Sequence, residues 1–224
     1  METNTTTLPF NSHVAEYEEW FEKHPEVFKT EVEAIRLLIP KGDHIKGLEI
    51  GVATGRFARE LQIHDGVEPA DNMRTLALRR GIYAVDAVAE NLPYRGLSFD
   101  FVLMNFCVSY FTDPDAAFTE AWRVLKYGGV LIVGFLDRYG AVAQQYERKR
   151  ETSTFYQLAK FYSSEEITAK LTAAGFNTLE FSQTLFHAPE NLKVAELPEP
   201  GYGKGSYILV KATKPLHFDG NQQT

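Results

Sequence analysis

Apolar residues along the chain alternate between short continuous runs and longer segments in which they recur with helical spacing. Short unbroken apolar runs are typical of strands that are buried on both faces of a parallel sheet. A period of about 3.6 residues indicates helices with one apolar face. The alternation therefore predicts an α/β fold, in which helices cover both faces of a mostly parallel sheet.

Seven strands and the helices between them follow from this pattern. The predicted strands are 48–50, 63–68, 82–88, 99–105, 130–135, 176–185 and 206–211. The predicted helices of the sheet region are 57–62, 70–80, 113–126 and 163–174. Because the last two strands are joined by a loop, they predict an antiparallel hairpin at one edge of a doubly wound, seven-stranded, mostly parallel sheet.

The whole chain, 1–224, is expected to form one domain, since neither an internal repeat nor a linker interrupts it. Two segments fall outside the alternation. Residues 13–40 predict two helices divided by Pro25, which disfavours helical geometry in the residue before it, and they are interpreted as a lid. Residues 137–162 are polar and aromatic without a strand pattern, so they predict one or two helices that cover the ligand crevice.

Composition excludes several functional classes. The formal net charge is −7, and no basic run is longer than 147–150, which argues against a nucleic-acid partner. The longest apolar run, 130–135, is far shorter than the ~20 residues that span a membrane. The polar first ten residues do not resemble a signal peptide, so the protein is expected to be cytoplasmic.

A glycine-punctuated turn follows the first strand. Gly51 permits a sharp turn where a side chain would clash, and Gly55 allows the next helix to start close to the strand. Glu68 follows roughly 20 residues later, at the end of the second strand, where an acidic side chain accepts hydrogen bonds from ribose hydroxyls. This spacing predicts a site for a nucleoside-bearing cofactor.

Ligands of parallel sheets bind beyond the carboxyl ends of the strands, so residues at those ends are candidates for the site. Such positions in this chain are Glu49, Glu68, Val88, Ala89, Asn105 and Asp137.

Five motifs occur in a fixed order, at 48–57, 66–69 with Met73, 89–94, 98–100 and 125–129. Together they resemble the small-molecule, ubiquinone-synthesis-type branch of class I S-adenosylmethionine-dependent methyltransferases. The family begins with acid-x-Gly-x-Gly-x-Gly, and here Ala53 takes the place of the middle glycine. The resemblance implies a Rossmann-like methyltransferase fold and S-adenosylmethionine as the cofactor.

The resemblance also implies how the cofactor is held. Glu49 would bind the amino group of the methionine part, and the turn formed by Gly51, Ala53 and Gly55 would approach that part. Glu68 would accept hydrogen bonds from the ribose hydroxyls. The extra methyl group of Ala53 is expected to shift the ligand relative to its place in the family.

The adenine end departs from the family, whose aspartate at this point is missing here, so the backbone of Val88 and Ala89 is expected to bind the adenine edge. Pro69 and Met73 are expected to pack near the adenosine. Tyr17 presents an aromatic face that suits a sulfonium cation. The remaining residues predicted at the cofactor are Glu90 and Asn105.

The implied activity is methyl transfer by in-line displacement to a small-molecule acceptor, in which the protein mainly aligns the reactants. No catalytic residue is assigned. Cys107 is interpreted as a buried structural thiol rather than a nucleophile, because nothing near it in sequence would lower its pKa. The six histidines lack metal-ligand spacing, so no metal is predicted.

The acceptor is expected between the lid and 137–162, against some of Tyr17, Phe21, Tyr139, Phe155 and Tyr156. Three acids there, Asp137, Glu18 and Glu19, would suit an amine acceptor. The alternatives are a nicotinamide-dependent oxidoreductase and a non-catalytic domain that binds S-adenosylmethionine. The sequence is compatible with a monomer or a homodimer.

Overall fold

The computed structural model describes residues 7–216. The interpretation of the first ten residues as lacking a signal peptide concerns mainly residues outside this range. The strands are β1 Gly47–Ile50, β2 Asp65–Val67, β3 Tyr83–Val85, β4 Phe99–Asn105, β5 Leu125–Leu136, β6 Asn177–Thr184, β7 Glu199–Pro200 and β8 Tyr207–Thr213.

All eight strands form one sheet in the order β3-β2-β1-β4-β5-β8-β6-β7. The first five are parallel, and β8 runs antiparallel between β5 and β6. The predicted α/β fold with an antiparallel hairpin is therefore confirmed. The expected count of seven strands was one too low, because β7 has two residues and one of them is proline, which leaves no strand pattern in the sequence.

Eight helices accompany the sheet within residues 7–216: α1 Leu8–Ser12, α2 Val14–Lys23, α3 Pro25–Arg36, α4 Arg56–Glu60, α5 Asp71–Arg79, α6 Pro114–Val124, α7 Ala141–Arg148 and α8 Ser164–Ala173. Pro25 begins α3, as expected for a residue whose fixed backbone angle suits the first helical turn. The side chain of Ser163 accepts a hydrogen bond from the backbone N–H of Glu166, which caps α8.

The sheet separates two hydrophobic cores because successive side chains of a strand point to opposite faces. In β4, Leu103 packs into the core that also contains Phe21 and Phe57, on the side of α2 and α4. Met104 packs into the other core with Phe118, on the side of α6. Burial of each such side chain contributes about 1.5–3 kcal/mol. Within residues 7–216, no helix has both the length and the apolar character that a membrane span requires.

Candidate active site

A cavity of about 500 Å³ opens over the carboxyl ends of β1, β2 and β4. Its lining includes most residues that the sequence predicted at the cofactor: Tyr17, Gly51, Ala53, Glu68, Pro69, Val88, Ala89, Glu90 and Asn105. The other three, Glu49, Gly55 and Met73, lie behind its wall.

The backbone of the glycine turn is left-handed at each position of the motif, with φ of +69° at Gly51, +48° at Ala53 and +80° at Gly55. A Cβ at Gly51 would lie 2.6 Å from Cβ of Cys107, so the turn requires glycine there. Ala53 holds a left-handed conformation that costs an L residue about 1–2 kcal/mol. This cost explains why glycine suits the same position in the family pattern.

Gly55 and Met73 support the turn from behind. A Cβ at Gly55 would lie 3.0 Å from Cγ1 of Ile82 and 3.2 Å from Cα of Ala77, so glycine allows α4 to approach α5 closely. Met73 is fully buried on α5. Both residues act on the packing beneath the cavity rather than in its lining.

Glu68 joins the glycine turn to the start of α5. Its Oε2 accepts a hydrogen bond from the backbone N–H of Ala53 at 2.9 Å, and its Oε1 accepts one from Ala70 at 2.8 Å. Burial raises the pKa of Glu68 to about 7, although these two hydrogen bonds oppose the shift. Each carboxylate oxygen can accept further hydrogen bonds, so the side chain can also receive two ligand hydroxyls.

Glu49 is 2% exposed, and its Oε2 has no hydrogen-bond partner among the described residues. Burial raises the pKa of Glu49 well above its ordinary value, against the backbone N–H of Ala58, which lowers it. A buried carboxylate oxygen without a partner is costly, and a cationic group of a ligand would remove that cost.

Asn105 ends β4 and is held by Tyr207, which begins β8. The Tyr207 hydroxyl donates a hydrogen bond of 2.7 Å to Oδ1 of Asn105. Nδ2 of Asn105 is buried and has no partner among the described residues. The amide therefore presents a donor to the cavity, because its acceptor side is already occupied.

At the end of the cavity where the sequence predicts the adenine, the side chain of Glu90 accepts hydrogen bonds from the protein itself. Its Oε1 accepts hydrogen bonds from the backbone N–H groups of Thr112 at 2.9 Å and Asp113 at 3.2 Å. The carbonyl of Val88 accepts a hydrogen bond from the backbone of Asn91. These bonds fix the loop after β3, and Val88 and Ala89 both line the cavity there.

The opposite end of the cavity is aromatic. The rings of Tyr146 and Tyr156 stack with their centroids 4.0 Å apart, and Phe10 contacts Phe155 with the centroids 5.4 Å apart. The sequence correctly placed Tyr17, Phe21, Phe155 and Tyr156 in this region. Tyr139, the fifth candidate of which only some were expected to line the pocket, does not contribute. It is 69% exposed and lies outside the lining because it precedes α7 rather than sitting on its inner face.

The three acids expected near the acceptor do not line the cavity. Glu18 pairs with Arg56 at 2.7 Å and with Arg80. Glu19 pairs with Lys23 on the surface of α2. Asp137 accepts hydrogen bonds from the backbone N–H groups of Tyr139 and Ser164 and from the Ser164 hydroxyl, so its carboxylate holds the start of α8.

Sequence reasoning missed the acid that does line the aromatic end, Glu31 on α3. This residue is 2% exposed, and its Oε2 has no hydrogen-bond partner among the described residues. A signal existed in the sequence, since Glu31 lies four residues from both Val27 and Ile35 and so interrupts the apolar face of α3.

Cys107 also lines the cavity. Its Sγ donates a hydrogen bond to the carbonyl of Ile50 at 3.2 Å, and burial raises the pKa of its thiol well above the ordinary value. A thiol in this state is a poor nucleophile, which agrees with its interpretation as a structural residue.

Comparison with known proteins identifies the family. Residues 48–133 match the methyltransferase domain family. A crystal structure from Thermotoga maritima, of a SAM-dependent methyltransferase described as a possible histamine N-methyltransferase, is 41% identical with a TM-score of 0.89, covering 93% of this chain and 99% of that one. The chain belongs to the S-adenosylmethionine-dependent methyltransferases. The resemblance seen in the sequence is thereby confirmed, and S-adenosylmethionine is the cofactor.

Two further relatives differ in how much of the chain they match. An uncharacterized protein of Methanocaldococcus jannaschii is 38% identical over 205 residues, which are 92% of this chain and 98% of that protein. The ubiquinone/menaquinone biosynthesis C-methyltransferase of Vibrio cholerae is 32% identical over 90 residues, 40% of this chain and 34% of that protein. The likeness to the ubiquinone-type enzyme is therefore confined to part of the chain.

The described residues fit S-adenosylmethionine. The orphaned oxygen of Glu49 is an acceptor suited to an ammonium group, and Glu68 offers its remaining acceptor capacity to hydroxyls. Gly51 brings the backbone itself to the cavity wall. A site with two buried carboxyl groups suits this cationic cofactor better than an anionic dinucleotide, which favours the methyltransferase over the oxidoreductase.

Proposed function

We propose that this methyltransferase transfers a methyl group to the nitrogen of a small-molecule amine. The observation that carries the proposal is the charge of the cavity. Among the described residues that line it, the charged side chains are Glu16, Glu31, Glu68 and Glu90, and none is Lys, Arg or His. Such a lining favours cations and disfavours acidic acceptors.

The size of the cavity supports a small acceptor. A volume of about 500 Å³ falls within the range of small-molecule sites, and cofactor and acceptor share it. The negative net charge of the chain also disfavours a nucleic acid as the acceptor.

For the cofactor, we propose that Glu49 binds the amino group and that Glu68 accepts hydrogen bonds from the ribose hydroxyls. The backbone groups of Val88 and Ala89 would hold the adenine edge, beside Pro69. Tyr17, on α2, would cover the sulfonium end with its ring. Glu49 would reach the ligand from behind the wall, by a small rotation or through a bound water.

S-adenosylmethionine supplies an electrophilic methyl group, and as the nitrogen–carbon bond forms, the carbon–sulfur bond breaks and its electron pair remains on sulfur. The chain has to align the acceptor nitrogen with that methyl group and exclude water. Helix α2 over the cavity and the segment 137–162 are proposed to do this as lid and acceptor cap. Asn105 presents a donor near the same point, which suits a polar group of either ligand.

The similar Thermotoga maritima protein is described as a possible histamine N-methyltransferase, and this description agrees with an amine acceptor. A cytoplasmic location and a monomeric or homodimeric state remain predictions from the sequence.

The test is a turnover assay with the purified protein, S-adenosylmethionine and a panel of small amines, phenols, thiols and carboxylic acids. We expect S-adenosylhomocysteine and an N-methylated product, identified by mass spectrometry, from amines alone. Turnover confined to acidic or lipid-like acceptors would overturn the proposal. Calorimetry with NAD serves as a control and is expected to detect no binding.

A further inference from the structure

We propose that Glu31 binds the amino group of the acceptor and takes its proton, and that the acceptor is therefore a compact primary or secondary amine with an aromatic or apolar body. The inference rests on the proposed function and identifies the acceptor end of the same cavity.

Glu31 stands apart from the other acids of the lining because its carboxyl group has no partner. Glu68 accepts two backbone hydrogen bonds, and Glu90 accepts two more. Glu16 accepts a hydrogen bond from the hydroxyl of Thr154 at 3.0 Å. By contrast, Oε2 of Glu31 is fully buried and receives no hydrogen bond from the described residues, although Glu31 lines the cavity.

An unpartnered buried carboxyl group is destabilising, so its presence needs a compensating function. Glu18 on the neighbouring helix α2 is an acid with a structural role, and its carboxylate is paired with two arginines. No such cation accompanies Glu31 among the described residues. The cation that would complete its environment is one that enters the cavity.

The surroundings of Glu31 fit the rest of an amine. Tyr17, Tyr146 and Tyr156 line the same cavity as Glu31. Its negative charge contributes, after burial, to raising the pKa of these three phenols and that of Tyr207. Aromatic faces attract an ammonium group through the negative potential above the ring. The remaining wall at this end is apolar and is formed by Val27, Val142, Phe161 and Leu185.

The position of Glu31 relative to Glu49, at the proposed cofactor end of the cavity, also fits an amine acceptor. Tyr17 and Tyr207 experience the charges of both Glu31 and Glu49. Each of these two carboxyl groups has a buried Oε2 without a hydrogen-bond partner among the described residues, and both act electrostatically on Tyr17, which lines the cavity. Each suits a different ammonium group, that of the cofactor at Glu49 and that of the acceptor at Glu31.

The proton balance gives Glu31 a part in the reaction. An amine enters as an ammonium ion, which has no free electron pair for attack. Transfer of one N–H proton to the Glu31 carboxylate leaves a neutral amine beside a carboxylic acid, and the nitrogen can then accept the methyl group. The product leaves as an N-methylammonium ion, and Glu31 releases its proton to solvent. Burial raises the pKa of Glu31 well above its ordinary value, which makes it a stronger base for this transfer.

The experiment measures acceptor binding apart from turnover. The protein is saturated with S-adenosylhomocysteine, and 2-phenylethylamine, benzylamine and their uncharged analogues 2-phenylethanol and benzyl alcohol are titrated in by calorimetry. We expect the amines to bind more tightly than the alcohols. The Glu31→Gln variant should weaken amine binding about 10- to 100-fold and leave alcohol binding unchanged.

Glu33→Gln is the matched control, because Glu33 lies on the exposed face of the same helix and pairs with Arg36. It should bind both classes as the wild type does. Thermal unfolding and S-adenosylhomocysteine binding of Glu31→Gln verify that the variant is folded and holds the cofactor product.

The outcomes separate the two proposals. If the amines bind and are methylated equally by the wild type and by Glu31→Gln, the assignment of Glu31 is wrong while the proposed function stands. If neither amine binds to the loaded wild type, the assignment is overturned as well. If the wild type methylates phenols or thiols and no amine, the proposed function fails, and the Glu31 inference fails with it.

Discussion

The Tyr207 hydroxyl donates a 2.7 Å hydrogen bond to Oδ1 of Asn105 and so joins the end of β4 to the start of β8. Gly134 lies directly against this pair, since a Cβ there would be 2.4 Å from the hydroxyl oxygen and 2.5 Å from Oδ1. The amide is thereby fixed with its Nδ2 free of protein partners among the described residues. A residue near the end of the described chain thus orients a side chain of the cavity.

Replacing Tyr207 with Phe removes this donor and leaves Oδ1 of Asn105 buried without a partner. We expect the free energy of unfolding to fall by about 1–3 kcal/mol. We also expect kcat/KM to fall about tenfold, because the amide is no longer held in one orientation. Chemical denaturation and steady-state kinetics measure the two effects. Tyr202→Phe, a change on an exposed ring, is the control, and equal behaviour of both variants would contradict the role of Tyr207.

Ala53→Gly should stabilise the protein, because glycine adopts a φ of +48° without the steric cost that alanine bears. The gain is expected to be about 0.5–1 kcal/mol, after the greater flexibility of glycine in the unfolded chain is subtracted. Loss of the methyl group from the lining should also increase the affinity for S-adenosylmethionine. Thermal unfolding and calorimetry test both effects.

Ala174→Gly is the control for Ala53→Gly, and the opposite effect on stability is expected of it. Ala174 is the C-cap residue that follows α8 and has a φ of −74°, where alanine bears no such cost, so the substitution should lower stability. A lower melting temperature for Ala53→Gly would show that the left-handed turn is not strained.

The affinity for the cofactor should depend on pH through Glu68. Its carboxylate form, which we propose accepts hydrogen bonds from the ribose hydroxyls, predominates above its pKa of about 7. Binding of 5′-methylthioadenosine, which lacks the titrating amino group, should therefore tighten roughly tenfold between pH 6 and pH 8. Glu68→Gln should bind more weakly and show a flat profile, and a pH-dependent profile in that variant would assign the effect to another group.

The same pKa shift has a consequence for stability. Because the pKa of Glu68 is raised from 4.5 to about 7 in the folded protein, the native state binds more protons than the unfolded state between these values. Its contribution to the free energy of unfolding therefore falls as pH rises from about 4.5 to about 7. Unfolding curves of the wild type and Glu68→Gln across this range measure the difference.

Glu18 should control how firmly α2 covers the site. Its carboxylate pairs with Arg56 and Arg80, and Arg80 donates a further hydrogen bond of 2.6 Å to the carbonyl of Thr54 in the glycine turn. Glu18→Gln is expected to speed dissociation of S-adenosylhomocysteine about tenfold in stopped-flow measurements, since two charge-assisted bonds are weakened. Glu19→Gln, on the exposed side of α2, should leave the rate unchanged.

The pKa of Glu18 also predicts how the effect of Glu18→Gln on dissociation depends on pH. Although burial opposes it, hydrogen bonds from Arg56 and Arg80 lower the pKa of Glu18 to about 2. The stabilisation that the ionised Glu18 provides is therefore fully present above about pH 4.5, and it is lost only as the pH falls towards 2. The difference between Glu18→Gln and the wild type should accordingly stay constant from pH 6 to pH 8.

The sheet and the cofactor end could be predicted because their signals are local. The glycine turn depends on backbone angles that few residues adopt, and Glu68 lies at a fixed distance from it along the chain. Strand ends are less defined, since the predicted strand 82–88 pairs only at Tyr83–Val85. That strand is at the edge of the sheet and has a partner on one side alone, so its pairing ends early. The binding roles of these residues stay predictions.

The acceptor end could not be predicted in the same way. Asp137 follows a strand, as expected of a ligand, but its oxygens are engaged by the start of α8. In the sequence, Glu31 cannot be distinguished from an ordinary surface acid of an amphipathic helix. Its burial depends on how α3 packs against strands of the sheet that lie far away in the sequence. Such long-range contacts leave no motif in the sequence.

The position of β8 has a consequence for the synthesis of the chain. This strand is the last of the eight to leave the ribosome, yet it lies between β5 and β6 rather than at the border of the sheet. Until it is made, both neighbours expose unpaired backbone edges, which are prone to aggregation. A chain whose translation stops before Tyr207 is therefore expected to leave β5 and β6 without the strand that joins them, with both edges open to aggregation.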